Sequence, residues 1–285
     1  MPMPSPAYRS GRRQDGAMLA ELVVAMAVLS LLAGAMAAAL TTAFRAHVET
    51  RARSARALDA DHALRLIARE VRRAVPGSVR VPDAQTVELL HLVAAGRYRR
   101  GDGSGPDGIA HSGVGLVPGV PLTAFNLLGR YLHLAPDAAG RLPVGYQVAV
   151  VASDAVNGGD SASVSAADNG IRLVDAGDED QLRFDRPHSF PVDSPGYRVY
   201  VADGWRRYQC PAGAGSLLRE AAPVLEVPVD PTTMSVVLGD VSRCTFALAD
   251  DADGQRVLGL RIEFDGNDGA AAQQVLMQSL AVNVP

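Results

Sequence analysis

A single apolar run dominates the hydrophobic pattern near the start of the chain. No residue from Leu22 to Phe44 carries a charge, and the run is preceded directly by Glu21. An apolar stretch of this length predicts a membrane-spanning helix. A carboxylate at the start of such a helix is costly in lipid unless a partner neutralises it. Glu21 is therefore the first candidate functional residue.

The helical pattern continues beyond the apolar run. Between Arg45 and Val75 there is no Pro or Gly, and good helix formers dominate. Apolar residues recur there at a helical period, at Ala60, Leu64, Ile67, Val71 and Ala74. Pro76-Gly77 is a strong stop signal. We therefore predict one helix from Ala17 to Val75, about 90 Å long, whose second half lays its apolar stripe on a sheet.

The remainder of the chain predicts β-structure, with alternation that is clearest from Leu258 to Phe264. Asp203-Gly204, just before Trp205, is a hairpin signal. Gly101–Gly119 and Ser153–Asn169 are rich in loop-forming residues and predict loops. Predicted strands are Ser78–Val81, Thr86–Val93, Tyr146–Ala152, Ile171–Val174, Gln181–Phe184, Tyr197–Ala202, Arg206–Cys210, Ser216–Arg219, Cys244–Ala249, Leu258–Phe264 and Val275–Val284. The predicted class is α+β, with a long N-terminal helix packed on a mainly antiparallel sheet.

Composition narrows the function classes. The chain has 285 residues and a net charge of −4, and its 27 basic residues are all Arg. A mildly acidic chain without a basic patch argues against nucleic acid as a main ligand. The absence of Lys excludes a Walker-type phosphate loop and a Schiff-base lysine.

No pattern in the chain predicts catalysis or a metal site. There is no Gly-x-Ser-x-Gly, and the six histidines are scattered, at His47, His62, His91, His111, His133 and His188. Two acidic clusters, Asp175–Asp180 and Asp250–Asp253, contain fragments of a calcium-binding pattern. They lack the full ligand spacing that calcium loops use. We expect solvated turns at both, no metal, no cofactor and no enzymatic activity.

The start of the chain resembles a known export signal. Gly16-Ala17-Met18-Leu19-Ala20-Glu21 and the apolar run after it are similar to the signal of type IV prepilins and pseudopilins. Ala17 stands where phenylalanine is usual, and Asp15 where a basic or neutral polar residue is usual. The resemblance implies that a prepilin peptidase cuts after Gly16 and N-methylates Ala17. It also implies that Glu21 neutralises the N-terminal amine of a neighbouring subunit during assembly and sets the register.

The rest of the chain extends the resemblance. Ala63–Ala74 is similar to the end of the long helix in larger minor pilins and in J-type pseudopilins of type II secretion. Segments similar to a minor pilin of the mannose-sensitive haemagglutinin (MSHA) pilus are Val87–Leu90, Gly96–Arg99, Arg198–Gly204, Tyr208–Cys210, Leu217–Arg219, Cys244–Phe246 and Val282–Pro285. The implied fold is the pilin lollipop, with a leader at 1–16, a transmembrane and polymerisation helix at 17–44, an amphipathic continuation at 45–76 and a periplasmic head at 77–285.

The resemblance implies a structural subunit that acts through partners. These are the prepilin peptidase and methylase, other major and minor pilins, the inner-membrane assembly platform and the lipid bilayer. The expected location is the inner membrane and then the pilus. Two alternatives stay open, a minor pseudopilin of type II secretion and a membrane-anchored exported binding or adhesive domain. A conventional secretory signal cut near Ala33-Gly34-Ala35 is disfavoured because the apolar run is too long.

Orientation and cysteine chemistry follow from this topology. Four arginines follow the apolar run, at Arg45, Arg51, Arg53 and Arg56, so charge counting alone does not place the N-terminus inside. The resemblance places the N-terminus in the cytoplasm, because the prepilin peptidase acts on the cytoplasmic face of the membrane.

With this orientation the head is exported to an oxidising compartment, where Cys210 and Cys244 are expected to pair. Two separate buried thiols remain the alternative.

Overall fold

One long helix precedes a region of antiparallel β-structure. The computed structural model describes residues 15–101, 114–131, 134–151, 162–223, 233–250, 256–264 and 274–281. Within them the chain divides into two compact units, Met1–Asp59 and Ala60–Pro285. The combination of a long apolar helix with mostly antiparallel sheets confirms the α+β class.

Helix α1 runs from Asp15 to Arg72. It ends three residues before the predicted Val75, because the next residues pair with a strand instead. The Val75 amide donates to the Leu90 carbonyl at 2.8 Å, and the Leu92 amide donates to the Arg73 carbonyl at 2.7 Å. A residue that precedes proline disfavours the helical conformation, and Val75 precedes Pro76. Chain geometry and the sheet edge therefore end the helix together.

The strands form three sheets. They are β1 (Arg80–Asp83), β2 (Thr86–Arg97), β3 (Leu122–Leu127), β4 (Gln147–Val150), β5 (Ala162–Ser165), β6 (Ile171–Asp175), β7 (Asp180–His188), β8 (Arg198–Gln209), β9 (Ser216–Ala222), β10 (Ser235–Gly239), β11 (Val241–Asp250), β12 (Arg256–Phe264) and β13 (Gln274–Ala281), with a short helix α2 (Ala166–Asn169). The largest sheet has the order β1-β2-β8-β4-β5, with β9 also on β8 and β10 on β9. The two smaller sheets are β3-β7-β6 and β11-β12-β13.

Strand β8 is the centre of the fold, and it corrects the predicted hairpin. It runs without a turn through Asp203-Gly204, which we predicted to reverse the chain. Its pairing with β2 moves from Trp205↔Leu90 to Ala202↔Leu92, so β8 carries an extra residue there. Gly204 has φ +113°, and a Cβ on it would lie 2.7 Å from the Ala222 carbonyl oxygen. The glycine therefore forms a β-bulge between closely packed strands. A positive φ at glycine occurs in such bulges as well as in hairpin turns.

Two predicted loops are partly corrected. Residues 162–169, inside the predicted loop Ser153–Asn169, form β5 and α2 because β5 pairs with β4 at the sheet edge. In Gly101–Gly119, residues 114–119 are irregular except for a bridge between Leu116 and Arg100. Residues 102–113 and 152–161 lie outside the described residues. Strands β3 and β10 were not predicted, because each is short and gains its order from a longer neighbour.

Two main hydrophobic cores hold the β-region. The first packs the predicted helix stripe against residues of the central sheet and of β11 and β12, including Leu89, Tyr208 and Phe246. The second lies between the β3-β7-β6 sheet and the first half of β8, and includes Phe125, Phe190 and Val199. Burial of each large apolar side chain contributes roughly 1.5–3 kcal/mol. The stripe from Ala60 to Ala74 is buried throughout, which confirms the predicted amphipathic packing.

Candidate functional site

The predicted processing and assembly residues share the first turns of α1. The helix begins at Asp15 and contains Gly16, Ala17 and Glu21. Glu21 is exposed. It lies four residues after Ala17, so the two are neighbours on one face of the helix. The apolar side chains that follow are exposed as well, and Leu31 is 74% accessible. The helix is long and apolar enough to cross a membrane.

Glu21 differs from the other polar side chains in the apolar segment. Between Leu19 and Phe44 these are Ser30, Thr41 and Thr42. Each of the three hydroxyls donates to a carbonyl one turn earlier in the helix, at 2.8–2.9 Å. Glu21 makes no hydrogen bond or ion pair with any residue that the structure describes. The hydroxyls are therefore satisfied inside the helix, as lipid requires, whereas the Glu21 carboxylate has no such partner among the described residues.

The second half of α1 is held to the central sheet by a buried carboxylate. Glu70 accepts a hydrogen bond from the Tyr208 hydroxyl at 2.6 Å. It also accepts one from Nη2 of Arg219 at 2.7 Å. Glu70 lies three residues after Ile67 and four before Ala74, so it is in phase with the buried stripe. That phase is a sequence signal for a buried charge, and our sequence reasoning missed it.

Burial shifts the proton equilibria of this cluster. The pKa of Tyr208 is raised, first because its hydroxyl is desolvated and then because the Glu70 carboxylate lies beside it. Burial lowers the pKa of Arg219, but the hydrogen bond to Glu70 raises it further, so the net direction is upward. Tyr208 stays neutral and Arg219 stays charged at physiological pH. The cluster is a fixed ion pair with a hydroxyl donor.

A second row of charges crosses the central sheet on four neighbouring strands. Glu88 on β2 accepts from Arg80 of β1 at 2.7 Å and from Arg207 of β8 at 2.8 Å. Arg207 also donates to Glu220 of β9 at 3.1 Å. Because these residues are directly opposite each other in the strand register, each pair is close enough to interact. Glu88, Arg207 and Glu220 are buried, so the row fixes strand pairing rather than offering a free binding surface.

The two cysteines are paired. Cys210, just after β8, is bonded to Cys244 in β11, with their Cα atoms 5.9 Å apart. The bond joins the central sheet to the β11-β12-β13 sheet, and both cysteines belong to the core that receives the helix. The alternative of two separate thiols is therefore excluded. A cavity of about 230 Å³ beside the bond is lined by Gln85, Ser216 and Arg243 among others.

The acidic turn at Asp175–Asp180 is exposed from Asp175 to Asp178, as expected of a solvated turn, but its last residue is buried. Asp175 accepts two hydrogen bonds from Arg130, both at 2.7 Å. These bonds lower the pKa of Asp175. Glu179 accepts from the buried Arg99, and Asp180 is itself buried. The carboxylates here are matched by arginines. In the second acidic cluster, Asp251–Asp253 lie outside the described residues.

The histidines do not converge. His91 and Arg206 both bond the Asp203 carboxylate, at 2.8 Å and 3.0 Å, which ties β2 to the bulge of β8. Burial raises the pKa of Asp203, but its bonds to His91 and Arg206 lower it further, so the net shift is downward. His188 packs edge-on against Phe190 in the second core. His47 and His62 lie on α1, and His111 and His133 lie outside the described residues.

Among the described residues, no group of three or more His, Cys, Asp or Glu side chains is placed to hold a metal ion. Comparisons with protein-family models, curated proteins and solved structures find no match.

Proposed function

We propose that this chain is a minor pilin of a type IV pilus of the MSHA kind. It acts as a structural subunit without catalytic activity of its own. A prepilin peptidase removes residues 1–16 and methylates Ala17. The processed subunit is held in the inner membrane and is then incorporated into the filament through its N-terminal helix. In the filament it primes assembly or forms part of the tip.

The observation that carries this proposal is the Glu21 carboxylate, which has no partner among the described residues. The other polar side chains of the apolar segment are all hydrogen-bonded within the helix. Every hydroxyl in the apolar segment is satisfied within the helix, and Glu21 alone has no partner among the described residues. A buried or lipid-exposed carboxylate without a partner is strongly unfavourable. A helix that keeps such a group is explained when a second helix supplies the positive charge.

Cleavage after Gly16 produces that positive charge. The new N-terminal amine of Ala17 lies one helical turn from Glu21 of the same chain. In a stack of parallel helices, the amine of one subunit then neutralises Glu21 of its neighbour. Because an amine–carboxylate pair forms only at one axial offset, the pair sets the register between helices. The exposed apolar side chains on every face of the segment supply the packing surface.

The partners follow from this route. They are the prepilin peptidase and methylase, the other major and minor pilins, the inner-membrane assembly platform and the bilayer. The head beyond Ala60 would lie in the periplasm and later at the cell surface. An oxidising compartment is consistent with the disulfide between Cys210 and Cys244.

The test is mass spectrometry of the N-terminal peptide from native membranes, combined with recovery of the subunit in sheared pili. We expect a chain that begins at methylated Ala17. Gly16→Ala should leave the leader attached, and Glu21→Ala should permit cleavage but abolish incorporation. Glu49→Ala is the matched control, because Glu49 is another exposed glutamate of α1 but lies beyond the apolar segment.

Three results would overturn the proposal. One is a mature chain that retains residues 1–16, and another is normal incorporation of the Glu21→Ala protein. Recovery of the subunit only with secretion-system pseudopilins would retain the helix mechanism and replace the pilus with a type II secretion system.

A further inference from the structure

The cavity beside the disulfide has a volume of about 230 Å³ and lies where four segments of the β-region meet. Its walls are the turn between β1 and β2 at Gln85, the residues just after β8, the start of β9 at Ser216 and the start of β11. All four segments belong to the second compact unit, Ala60–Pro285. The cavity is therefore a feature of the head alone.

The walls of the cavity are tied to one another. The Cys210 amide donates to the Gln85 carbonyl at 3.0 Å, and the Val241 amide donates to the Gly215 carbonyl at 3.1 Å. The disulfide between Cys210 and Cys244 joins two of the same segments covalently. Because the walls are fixed before any ligand arrives, binding requires little additional ordering of the chain.

Of the described residues that line the cavity, only Arg243 carries a charge. Arg243 is exposed, and its guanidinium forms no hydrogen bond or ion pair with any residue that the structure describes. In contrast, Arg207 and Arg219 each pair with a carboxylate. Glu263 is opposite Arg243 in the strand register, but its carboxylate pairs with Arg261 at 2.8 Å. The Arg243 fork is thus available to a carboxylate from outside the chain.

The other polar side chains of the lining are neutral. The Gln85 amide and the Ser242 hydroxyl make no hydrogen bond with a described residue. The Ser216 hydroxyl donates to the Ala214 carbonyl at 3.3 Å, and its oxygen can still accept. Val241 adds apolar surface to the same lining. Amide and hydroxyl groups of this kind orient a polar ligand by hydrogen bonds to its own hydroxyls.

A glycine turn adds backbone donors to the cavity. Gly213 and Gly215 have φ of +77° and +65°, and a Cβ on either would meet no atom within 4 Å. The backbone conformation therefore requires these glycines, and crowding does not. Ala212 and Gly213 line the cavity, and their amides donate to no residue that the structure describes. Turns in which positive φ alternates with ordinary φ form anion-binding concavities.

We propose that this cavity binds a small, hydroxyl-rich carboxylic acid of the size of one sugar residue, such as a uronic acid. Arg243 binds the carboxylate through its planar fork, and Gln85, Ser216 and Ser242 bind the hydroxyls. The volume is below the roughly 300–1,000 Å³ of pockets for drug-sized ligands, which favours a single small unit. The inference goes beyond the proposed function, because it concerns the head and not the N-terminal helix.

An acidic side chain of a partner protein is the competing occupant. An Asp or Glu side chain would neutralise Arg243, but it has no hydroxyls for Gln85 and Ser242. A hydroxyl-rich acid satisfies all three groups at once. The composition of the lining therefore favours the small acid.

The experiment is a ligand-observed NMR titration of the full chain in detergent micelles. The probe is galacturonate, and the matched neutral probe is galactose, which has a hydroxymethyl group in place of the carboxylate. Saturation transfer from the protein to each sugar reports binding, and its dependence on concentration gives the dissociation constant.

We expect saturation transfer to galacturonate and little to galactose. Arg243→Gln should weaken galacturonate binding about 10–100-fold, because it removes hydrogen bonds from a charged donor. Arg243→Lys should lose less, since the charge remains while the bidentate fork is lost. Ser242→Ala should weaken binding about two- to tenfold, as expected for one neutral hydrogen bond.

The matched control is Arg198→Gln. Arg198 is another exposed arginine, at the opposite end of β8 from the cavity. The length of the strand separates it from Cys210 by roughly 40 Å. Its substitution should leave galacturonate binding unchanged. Denaturant unfolding followed through Trp205 checks that each variant is folded.

Three results would overturn the inference. One is the absence of saturation transfer to galacturonate, and another is equal binding of galactose. The third is undiminished binding of galacturonate by the folded Arg243→Gln protein, which would place the binding elsewhere.

A free acid and the end of an acidic polysaccharide present the same chemical group. The trimer of galacturonate is therefore titrated beside the monomer. Tighter binding of the trimer assigns the site to a polysaccharide, whereas equal binding assigns it to the free acid, and both results support the site.

The result is separable from the proposed function. Gly16→Ala and Glu21→Ala should bind galacturonate normally while they lose processing or incorporation. Galacturonate binding by a chain whose incorporation is indifferent to Glu21 would disprove the pilin function and retain the site. Normal pilin behaviour without galacturonate binding would do the reverse.

Discussion

Two segments of helix α1 differ in the burial of their apolar side chains. Between residues 19 and 58 the large apolar side chains are exposed, as at Leu31, whereas between residues 60 and 74 the apolar stripe is buried and Ile67 is 0% accessible. The difference is not apolar content but its distribution around the helix. Residues 22–44 of the first segment are uncharged and apolar on every face, which no single sheet can cover. The second is apolar on one face only, which is the pattern of a helix packed on a globular core.

The two glutamates repeat this comparison at the level of single groups. Glu70 lies on the buried stripe, where Tyr208 and Arg219 both donate to it. Glu21 has no partner among the described residues. A carboxylate that is matched within the chain contributes to the fold. A carboxylate that is left unmatched in an apolar segment points to a partner in another molecule.

The largest expected effect on stability distinguishes the buried apolar stripe from the exposed apolar segment. We expect Ile67→Ala to lower the free energy of unfolding of the head by about 2–5 kcal/mol, because it leaves a cavity under the sheet. Leu31→Ala is the control, and it should leave that stability unchanged. Denaturant unfolding of the full chain in detergent, followed through the single tryptophan, Trp205, measures both. Equal destabilisation by the two variants would mean that the apolar segment also supports the head.

The disulfide should stabilise only the β-region. The double variant Cys210→Ser, Cys244→Ser should lose about 3–4 kcal/mol, because the 34-residue separation restrains the unfolded chain. The same unfolding measurement checks this, with reductant on the unmodified chain as the control. Association of the apolar segments in detergent should not change. A change in that association would contradict a purely local role for the bond.

Substitution of the buried Glu70 should have an intermediate effect on the free energy of unfolding, and substitution of Glu21 should have none. Glu70→Gln should cost about 1.5–3 kcal/mol, since it removes a charged acceptor from the buried Tyr208 hydroxyl and from Arg219. Tyr208→Phe should cost less, about 1 kcal/mol, because it removes one hydrogen bond. Glu21→Gln should not alter the unfolding of the head at all. Its effect should appear only as lost incorporation into pili, and a shift in head stability would break the distinction.

The smallest effect concerns exposed ion pairs on the helix. Asp61→Ala breaks the pair with Arg65 at 2.7 Å, one turn apart. Both side chains are largely exposed, so the expected loss is about 0.3–0.5 kcal/mol. Removal of the longer Arg53–Glu49 pair should have no measurable effect on unfolding. A loss well above 1 kcal/mol for Asp61→Ala would show that the exposed face of the helix is also packed.

Sequence reasoning was most successful where a periodic pattern coincided with burial. The stripe of Leu64, Ile67 and Val71 and most strand positions are confirmed. Sequence reasoning failed where one local sequence pattern is compatible with two different backbone structures. Asp203-Gly204 suits both a hairpin and a bulge, and the choice depends on which strands lie beside it. The arginine that pairs with the exposed Asp175 was not predicted, because it lies 45 residues away in the chain.

The candidate site divides in the same way. The roles of Gly16, Ala17 and Glu21 stay predictions, because they concern an enzyme and a neighbouring subunit. The cysteine pairing is confirmed, but only the structure chose between a bond and two separate thiols. The cluster around Glu70 was missed because its two donors come from β8 and β9, more than 130 residues further along.

The sequence alone determined the elements whose causes are local. These are the uncharged run that suits a membrane, the single acidic residue at its start, the helix that continues past it and the stop at Pro76-Gly77. Tertiary structure decided which groups neutralise one another and where β8 bends instead of turning. The reason is that charge pairing, disulfide formation and strand register depend on distances between residues far apart in the chain, and those distances exist only once the sheets have assembled.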